Sequence, residues 1–142
     1  MSQKDPEYKL LDHTADLGIS VQAESLEGLW EHSARVLMHL LLRGKSPEKT
    51  TPLRITISGC DLEDLLVRWL GEVLYLFEAK GLVTNGTKID FISEFELKAT
   101  VYTVPFDQER YEIIREIKAV TYHQIKVIQT DSMWEAQVIF DL

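Results

Sequence analysis

The sequence predicts an α+β fold in which two helices pack on a mainly antiparallel β-sheet layer. Apolar residues recur at helical spacing in two segments between Ser25 and Gly81, whereas the chain after Thr87 mostly alternates apolar and polar residues. The resulting order, β-β-α-β-α followed by five strands, lacks the regular strand–helix alternation of a parallel α/β fold. At this length, 142 residues, we expect one domain covering residues 1–142.

Two short strands and a helix are predicted at the start of the chain. YKLL (8–11) and GISVQA (18–23) are the strand candidates, and the second alternates apolar Ile19 and Val21 with polar neighbours. Ser25 is of a type that caps helix N-termini. The apolar positions of the helix that follows are Leu26, Leu29, Trp30, Leu37, Leu40 and Leu41.

A strand with one buried face and a second helix come next. PLRITISG (52–59) alternates strictly, and Asp61 then provides an N-cap. The second helix is apolar nearly all round, which predicts the most buried element of the fold. Gly71 in its middle suggests close packing at that point, since glycine costs up to about 1 kcal/mol there relative to alanine. Gly81 is the candidate C-cap.

The second half of the chain is predicted to be almost entirely strand. Its segments have period-2 stretches and many β-branched residues, and most connections between them are short. The segments are KIDFIS (88–93), FELKATVYTV (95–104), EIKAVTY (116–122), HQIKVIQT (123–130) and MWEAQVIFDL (133–142).

The charge balance argues against direct, tight nucleic-acid binding. Fifteen Lys and Arg residues face 23 Asp and Glu residues, which gives a formal net charge of −8 and a pI near 5.0. Binding to a phosphate backbone needs clustered basic residues. Arg110, Arg115, Lys118 and Lys126 lie close in sequence and could form a local basic strip, but we favour an ordinary solvated face.

The cysteine content and the N-terminal sequence favour a cytoplasmic protein. Cys60 is the one cysteine, so no internal disulfide forms, which suits a reducing compartment. We interpret Cys60 as a buried small hydrophobic residue in preference to a reactive thiol. MSQKDPEYK (1–9) has no signal-peptide core, and no apolar run is long enough to cross a bilayer, so we expect no membrane association.

Carboxylates dominate the candidate chemistry. LLDHTADLGI (10–19) places Asp12, His13, Thr14 and Asp16 between two predicted strands, and Asp141 and the carboxylate of Leu142 end a third. If these segments meet, a hard divalent cation such as Ca²⁺ or Mg²⁺ relieves the repulsion. His13 either adds a nitrogen ligand or makes a structural hydrogen bond. The alternative is that the 12–16 residues cap a turn and the C-terminus is merely exposed.

Standard catalytic and nucleotide-binding motifs are absent from the sequence. There is no GxxxxGK[ST] loop, no GxGxxG after a strand, no HExxH, no cysteine–histidine zinc spacing and no GxSxG elbow. Residue patterns alone therefore leave the carboxylate cluster as the main site hypothesis.

Four segments, in order, resemble the archease family. They are DHTADLGI, the helix in GCDLEDLLVRWLGEVLYLFE (similar to DLxxLLxxWLxExLY), IKAVTYHQIKV and the final VIFDL. The resemblance covers essentially the whole chain, with Asp-Leu at the end where Asp-Ile is commoner.

The resemblance implies a metal centre. It assigns Asp16, Asp141 and Leu142 as ligands of a divalent metal, which we expect to be Ca²⁺, with Mg²⁺ or Mn²⁺ as alternatives. Asp12 is implied to lie near this site or to order its loop, together with His13 and Thr14. Lys118, Thr121, Tyr122 and His123 match the second motif, whose role is structural or partner-facing.

The resemblance also implies a protein cofactor and not an enzyme. Archease-like proteins activate the GTP-dependent RNA ligase of tRNA splicing, a step of tRNA processing, by promoting ligase guanylylation and multiple turnover. An acidic activator suits docking on a basic, RNA-binding enzyme. Two alternatives remain open at this point: a metal-dependent hydrolase of a small phosphorylated substrate, and a general chaperone-like adaptor.

Overall fold

The α+β class and both predicted helices are confirmed. The computed structural model describes residues 5–11, 16–47 and 49–142. Those residues contain the helices α1 (Leu26–Leu41) and α2 (Leu62–Lys80). They also contain ten strands: β1 (Lys9–Leu11), β2 (Leu17–Ala23), β3 (Leu42–Gly44), β4 (Thr51–Ser58), β5 (Leu82–Ile92), β6 (Glu96–Pro105), β7 (Tyr111–Ile113), β8 (Ala119–Val120), β9 (Lys126–Thr130) and β10 (Met133–Asp141).

The described strands form three sheets, and every pairing is antiparallel. The five-stranded sheet runs β1-β2-β10, and the far side of β10 pairs with both β9 and β8. The three-stranded sheet has the order β4-β6-β5, and β3 pairs with β7 alone. The mainly antiparallel arrangement was predicted, whereas the division into three sheets was not.

Three details of the strand prediction are corrected by the structure. Strands β3 and β7 were missed because three residues each are too few to show a period. Strand β5 begins at Leu82, earlier than predicted. Of EIKAVTY, only the two residues of β8 are strand, because a turn that includes Gln124, with φ of 51°, interrupts the pairing with β10 before it resumes in the same direction as β9.

Three of the four helix ends lie where the cap residues predicted them. Ser25 Oγ accepts a hydrogen bond from the Gly28 amide at 3.0 Å, and Asp61 Oδ1 accepts one from the Asp64 amide at 2.8 Å. Gly81 ends α2 in the left-handed conformation, with φ of 64°.

The core lies where the two helices meet the two larger sheets. Helix α1 contacts β2 and β5, and α2 contacts β4, β5, β8 and β9, so each helix touches both sheets. Trp30 and Trp69 are fully buried between them, and Trp69 Nε1 donates to the Trp30 carbonyl at 2.9 Å. Neither described helix combines the length and the apolar content that a membrane span requires.

Two predictions about small residues were wrong. A Cβ added at Gly71 would meet no atom within 4 Å, so close packing is not the reason for glycine there. Cys60 is exposed. The alternation of β4 continues through Ser58, which faces solvent, and Gly59, which is half-buried, and so places Cys60 outward again.

Candidate metal centre and its flanking segment

Strand pairing brings the two ends of the chain together at one edge of the five-stranded sheet. β2 and β10 pair in a register that ends with Leu17 opposite Phe140. Asp16 immediately precedes β2, and Asp141 is the last residue of β10. The register therefore brings two aspartates that are 125 positions apart in the sequence to the ends of neighbouring strands.

Strand β8 flanks the end of β10 on its other side. Ala119 lies opposite Asp141, and the Lys118 amide donates to the Asp141 carbonyl at 2.8 Å. The Thr121 amide and hydroxyl both donate to the Ile139 carbonyl, at 3.0 and 2.8 Å. The second motif of the resemblance therefore runs directly beside the strand that ends in Asp141 and Leu142.

The three expected ligands are accessible. Asp16 is half-buried, whereas Asp141 and Leu142 are exposed. Asp12, His13 and Thr14 lie outside the described residues. In the described ranges no group of three or more His, Cys, Asp or Glu side chains is arranged to hold a metal. That finding is compatible with the expected set, because two of its members are aspartates and the third is Leu142.

The donor chemistry at this edge fits a hard divalent cation. Carboxylate oxygens are the ligands that Ca²⁺ and Mg²⁺ prefer, and Ca²⁺ tolerates irregular geometry with water completing its shell. Like charges brought near each other repel, and a cation shared between two carboxylates would remove that cost. The Asp16–Asp141 pair is therefore chemically suited to the metal that the resemblance implies.

Residue patterns did not single out Asp64, the one buried carboxylate among the described residues. It lies in the first turn of α2, where a carboxylate also interacts favourably with the positive end of the helix dipole. Its side chain accepts hydrogen bonds from the Cys60 amide at 2.9 Å, from Arg68 Nε at 3.0 and 3.1 Å, and from the Tyr122 hydroxyl at 2.6 Å. No local signal links Asp64 to Tyr122, since 58 positions separate them.

These contacts hold Asp64 in its ionised form. The hydrogen bond from Tyr122, then that from the Cys60 amide, and then the Arg68 guanidinium lower the pKa of Asp64 to about 2, and they outweigh the opposite effect of burial. The same hydrogen bond raises the pKa of the Tyr122 phenol, because losing its proton beside a carboxylate is unfavourable.

The residues expected to face a partner are all exposed. Lys118, Tyr122 and His123 lie on the surface of the 118–123 segment, and the Tyr122 side chain keeps its ring in solvent although its hydroxyl is bonded. Arg115, one of the four basic residues that could have formed a local strip, is half-buried, and its Nη1 donates to the Leu40 carbonyl at the end of α1 at 2.8 Å.

Comparison with known proteins identifies the family. Residues 8–142 match the family described as Archease protein family (MTH1598/TM1083). The chain belongs to the archease family. Protein archease from Methanosarcina barkeri is 34% identical over 146 aligned positions, which span all of both chains. Protein archease from Pyrococcus furiosus is 34% identical over 140 positions, which span 96% of this chain and 99% of that protein.

Solved archease structures share the fold. The solution structure of protein 1598 from Methanobacterium thermoautotrophicum superposes with a TM-score of 0.76 at 27% identity and covers 95% of this chain and 98% of its own. The crystal structure of a Thermotoga maritima archease, described as a possible chaperone, gives a TM-score of 0.66 at 24% identity, over 94% and 96% of the two chains. The archease assignment made from four sequence segments is thus confirmed along the chain.

Proposed function

We propose that this archease is a non-catalytic protein cofactor that activates the GTP-dependent RNA ligase of tRNA splicing, and that it acts in the cytoplasm. It promotes guanylylation of the ligase and allows multiple turnovers. Asp16, Asp141 and Leu142 hold a divalent metal, for which Ca²⁺ is the first candidate and Mg²⁺ or Mn²⁺ the alternatives. The observation that supports this best is the β2–β10 register of an archease chain, whose last pair, Leu17 and Phe140, directly adjoins Asp16 and Asp141 in sequence.

The chain's own residues account for the other requirements of an activator. Asp141 and Leu142 are exposed and Asp16 is half-buried, so a second protein can reach them, and the 118–123 segment beside Asp141 adds an exposed lysine, tyrosine and histidine. A net charge of −8 favours encounter with a basic, RNA-binding partner. When bound, the metal would offset phosphate charge during nucleotidyl transfer.

A ligation assay under ligase-limiting conditions tests the proposal. The cognate RNA ligase is mixed with a large excess of RNA ends, GTP and Mn²⁺, with and without this protein. We expect multiple turnovers and faster ligase guanylylation only when the protein is present. Unchanged guanylylation and turnover would contradict the activator role.

Single substitutions then test the carboxylates. Asp16→Asn and Asp141→Asn keep the size of each side chain but remove a charged ligand, so we expect loss of most of the activation while the fold is retained. Asp131→Asn is the matched control, because Asp131 is an exposed aspartate in the turn that precedes β10. Full activation by Asp16→Asn would show that Asp16 has no part in the function.

The same protein and its variants also test the two alternative functions. A hydrolase would release phosphate from simple phosphoesters with Mg²⁺ or Mn²⁺, and Asp16→Asn would abolish that release. A general chaperone-like adaptor would protect unrelated proteins from aggregation as well as it supports the ligase. We expect neither result.

A further inference from the structure

Asp64 ties the N-terminal turn of α2 to the segment that borders the candidate metal centre. The carboxylate is buried, and its Oδ1 is 2.6 Å from the Tyr122 hydroxyl, the shortest of its hydrogen bonds. Its remaining side-chain partners are local: the Cys60 amide precedes the N-cap residue of α2, and Arg68 lies one turn further along the helix. The bond to Tyr122 is therefore the contact by which Asp64 reaches across to the sheet.

The segment that carries Tyr122 is attached to β10 on its other side. The Thr121 amide and hydroxyl bond to the Ile139 carbonyl, and Gln137 Nε2 donates to the Gln124 carbonyl at 3.0 Å. Further on, the Lys118 amide bonds to the carbonyl of Asp141. The backbone of this segment is thus held by β10, whereas its aromatic side chain is held by α2.

We infer that Asp64 is a positioning residue for ligase activation, which acts through Tyr122 by fixing the exposed ring and the 118–123 segment beside Asp141. This inference rests on the proposed function. The Tyr122 residue is 56% exposed, so packing alone leaves its ring free to change rotamer, and the hydroxyl bond removes that freedom. A surface that is already ordered binds its partner without a further entropy cost.

Two substitutions separate positioning from folding. Tyr122→Phe removes only the hydroxyl, and Asp64→Asn keeps an acceptor oxygen but weakens every bond to it. We expect each variant to need about three- to tenfold more protein for half-maximal ligase activation, because one side chain must be ordered on binding. The maximal turnover at saturation should stay unchanged.

Substitutions of the same two residue types elsewhere in the fold are the matched controls. Tyr75→Phe changes an exposed tyrosine on α2, and Asp90→Asn changes an aspartate that accepts a hydroxyl hydrogen bond from Thr100 on an exposed hairpin. Both should leave the half-saturating concentration as it is. All variants are assayed at a temperature where circular dichroism shows them fully folded. If Asp64 served only to stabilise the fold, its substitution would then leave the half-saturating concentration unchanged.

Two further readouts complete the test. In the protein alone, amide hydrogen exchange over residues 121–125 should be faster in Asp64→Asn and Tyr122→Phe than in the controls. The half-saturating concentration of the double variant should be no higher than that of the more strongly affected single variant, because both changes break the same contact. Additive losses, or unchanged exchange, would overturn the inference.

The two proposals fail in different ways. If the unaltered protein activates the ligase and both variants have its half-saturating concentration, the inference about Asp64 is wrong and the proposed function stands. If the unaltered protein does not activate the ligase, the proposed function is wrong and the positioning role is overturned with it.

Discussion

At the scale of single residues, Asp64 shows how a buried charge is stabilised. Taking a carboxylate out of water is unfavourable, and here hydrogen bonds from Tyr122, the Cys60 amide and Arg68 offset that cost. The guanidinium of Arg68 is largely solvated, so its pairing with Asp64 adds less than the two other bonds.

The depressed pKa of Asp64 predicts acid-sensitive stability. The pKa falls from 3.8 to about 2 in the folded protein, so below pH 4 the unfolded chain takes up a proton first. The stabilisation is complete above about pH 4 and is lost as the pH falls through 2, and it amounts to about 2 kcal/mol. Urea unfolding between pH 7 and 2 should show the free-energy difference between wild type and Asp64→Asn narrowing by about this amount.

Tyr122→Phe provides the internal control for that experiment. It removes the largest cause of the depressed pKa and leaves the carboxyl titratable, so the acid-induced loss should be smaller than in wild type and should be complete at a higher pH. If the free energies of unfolding of wild type and Asp64→Asn changed in parallel with pH, the role assigned to these hydrogen bonds would be contradicted.

The sequence allowed some candidate site residues to be named and not others. Asp16, Asp141 and Leu142 could be named because they belong to short segments with a recognisable pattern at the two ends of the chain. Asp64 and Tyr122 could not be paired, because each looks ordinary in its own segment and the bond depends on where α2 lies against the sheet.

At the scale of elements, the two glycines of α2 have different reasons to be there. Gly81 has φ of 64°, in the left-handed region that glycine adopts without strain. Gly71 lies inside the helix, where the Cβ position faces open space.

Alanine substitutions in α2 should therefore have opposite effects on stability. Gly81→Ala should lower the free energy of unfolding by about 1 kcal/mol, because the side chain disfavours the left-handed conformation. Gly71→Ala should raise it by about 0.5–1 kcal/mol, because the unfolded chain loses freedom and nothing in the fold is displaced. Urea titrations of the two variants check this, and a destabilising Gly71→Ala would mean that close packing does occur there.

Helix ends were readable from sequence, whereas short strands were not. Ser25, Asp61 and Gly81 act on backbone groups within a few residues of themselves, so their types and positions are sufficient. Strands β3 and β7 exist because Leu42–Gly44 and Tyr111–Ile113 pair with each other, and neither segment carries a pattern of its own.

At the scale of the whole molecule, β10 is the strand that joins distant parts of the chain. This strand pairs with β2, β8 and β9, and so connects the start of the chain, the second motif and the C-terminal residues in one sheet. A ligand held by Asp16 and Asp141 would cross-link β2 to β10 and stabilise the fold as a whole.

Metal binding should therefore be visible as added thermal stability. With Ca²⁺ at about one hundred times its dissociation constant, the folded state should gain about 2.7 kcal/mol, which raises the melting temperature relative to the protein in excess chelator. Asp16→Asn and Asp141→Asn should lose this rise, while Asp131→Asn keeps it. A Ca²⁺-dependent rise that survives in Asp141→Asn would place the ion elsewhere, and repeating the scan with Mg²⁺ and Mn²⁺ would rank the metals.

The sequence by itself determined the α+β class, the two helices with their caps, the apolar faces and most of the strands, because these depend on residues a few positions apart. Only the tertiary structure decided that the strands divide into three sheets, that β2, which follows Asp16, pairs with β10, which ends at Asp141, and that Asp64 reaches Tyr122. These features depend on pairing between segments tens of residues apart, and that pairing is selected by how the helices and sheets bury one shared core, which no local period of the sequence records.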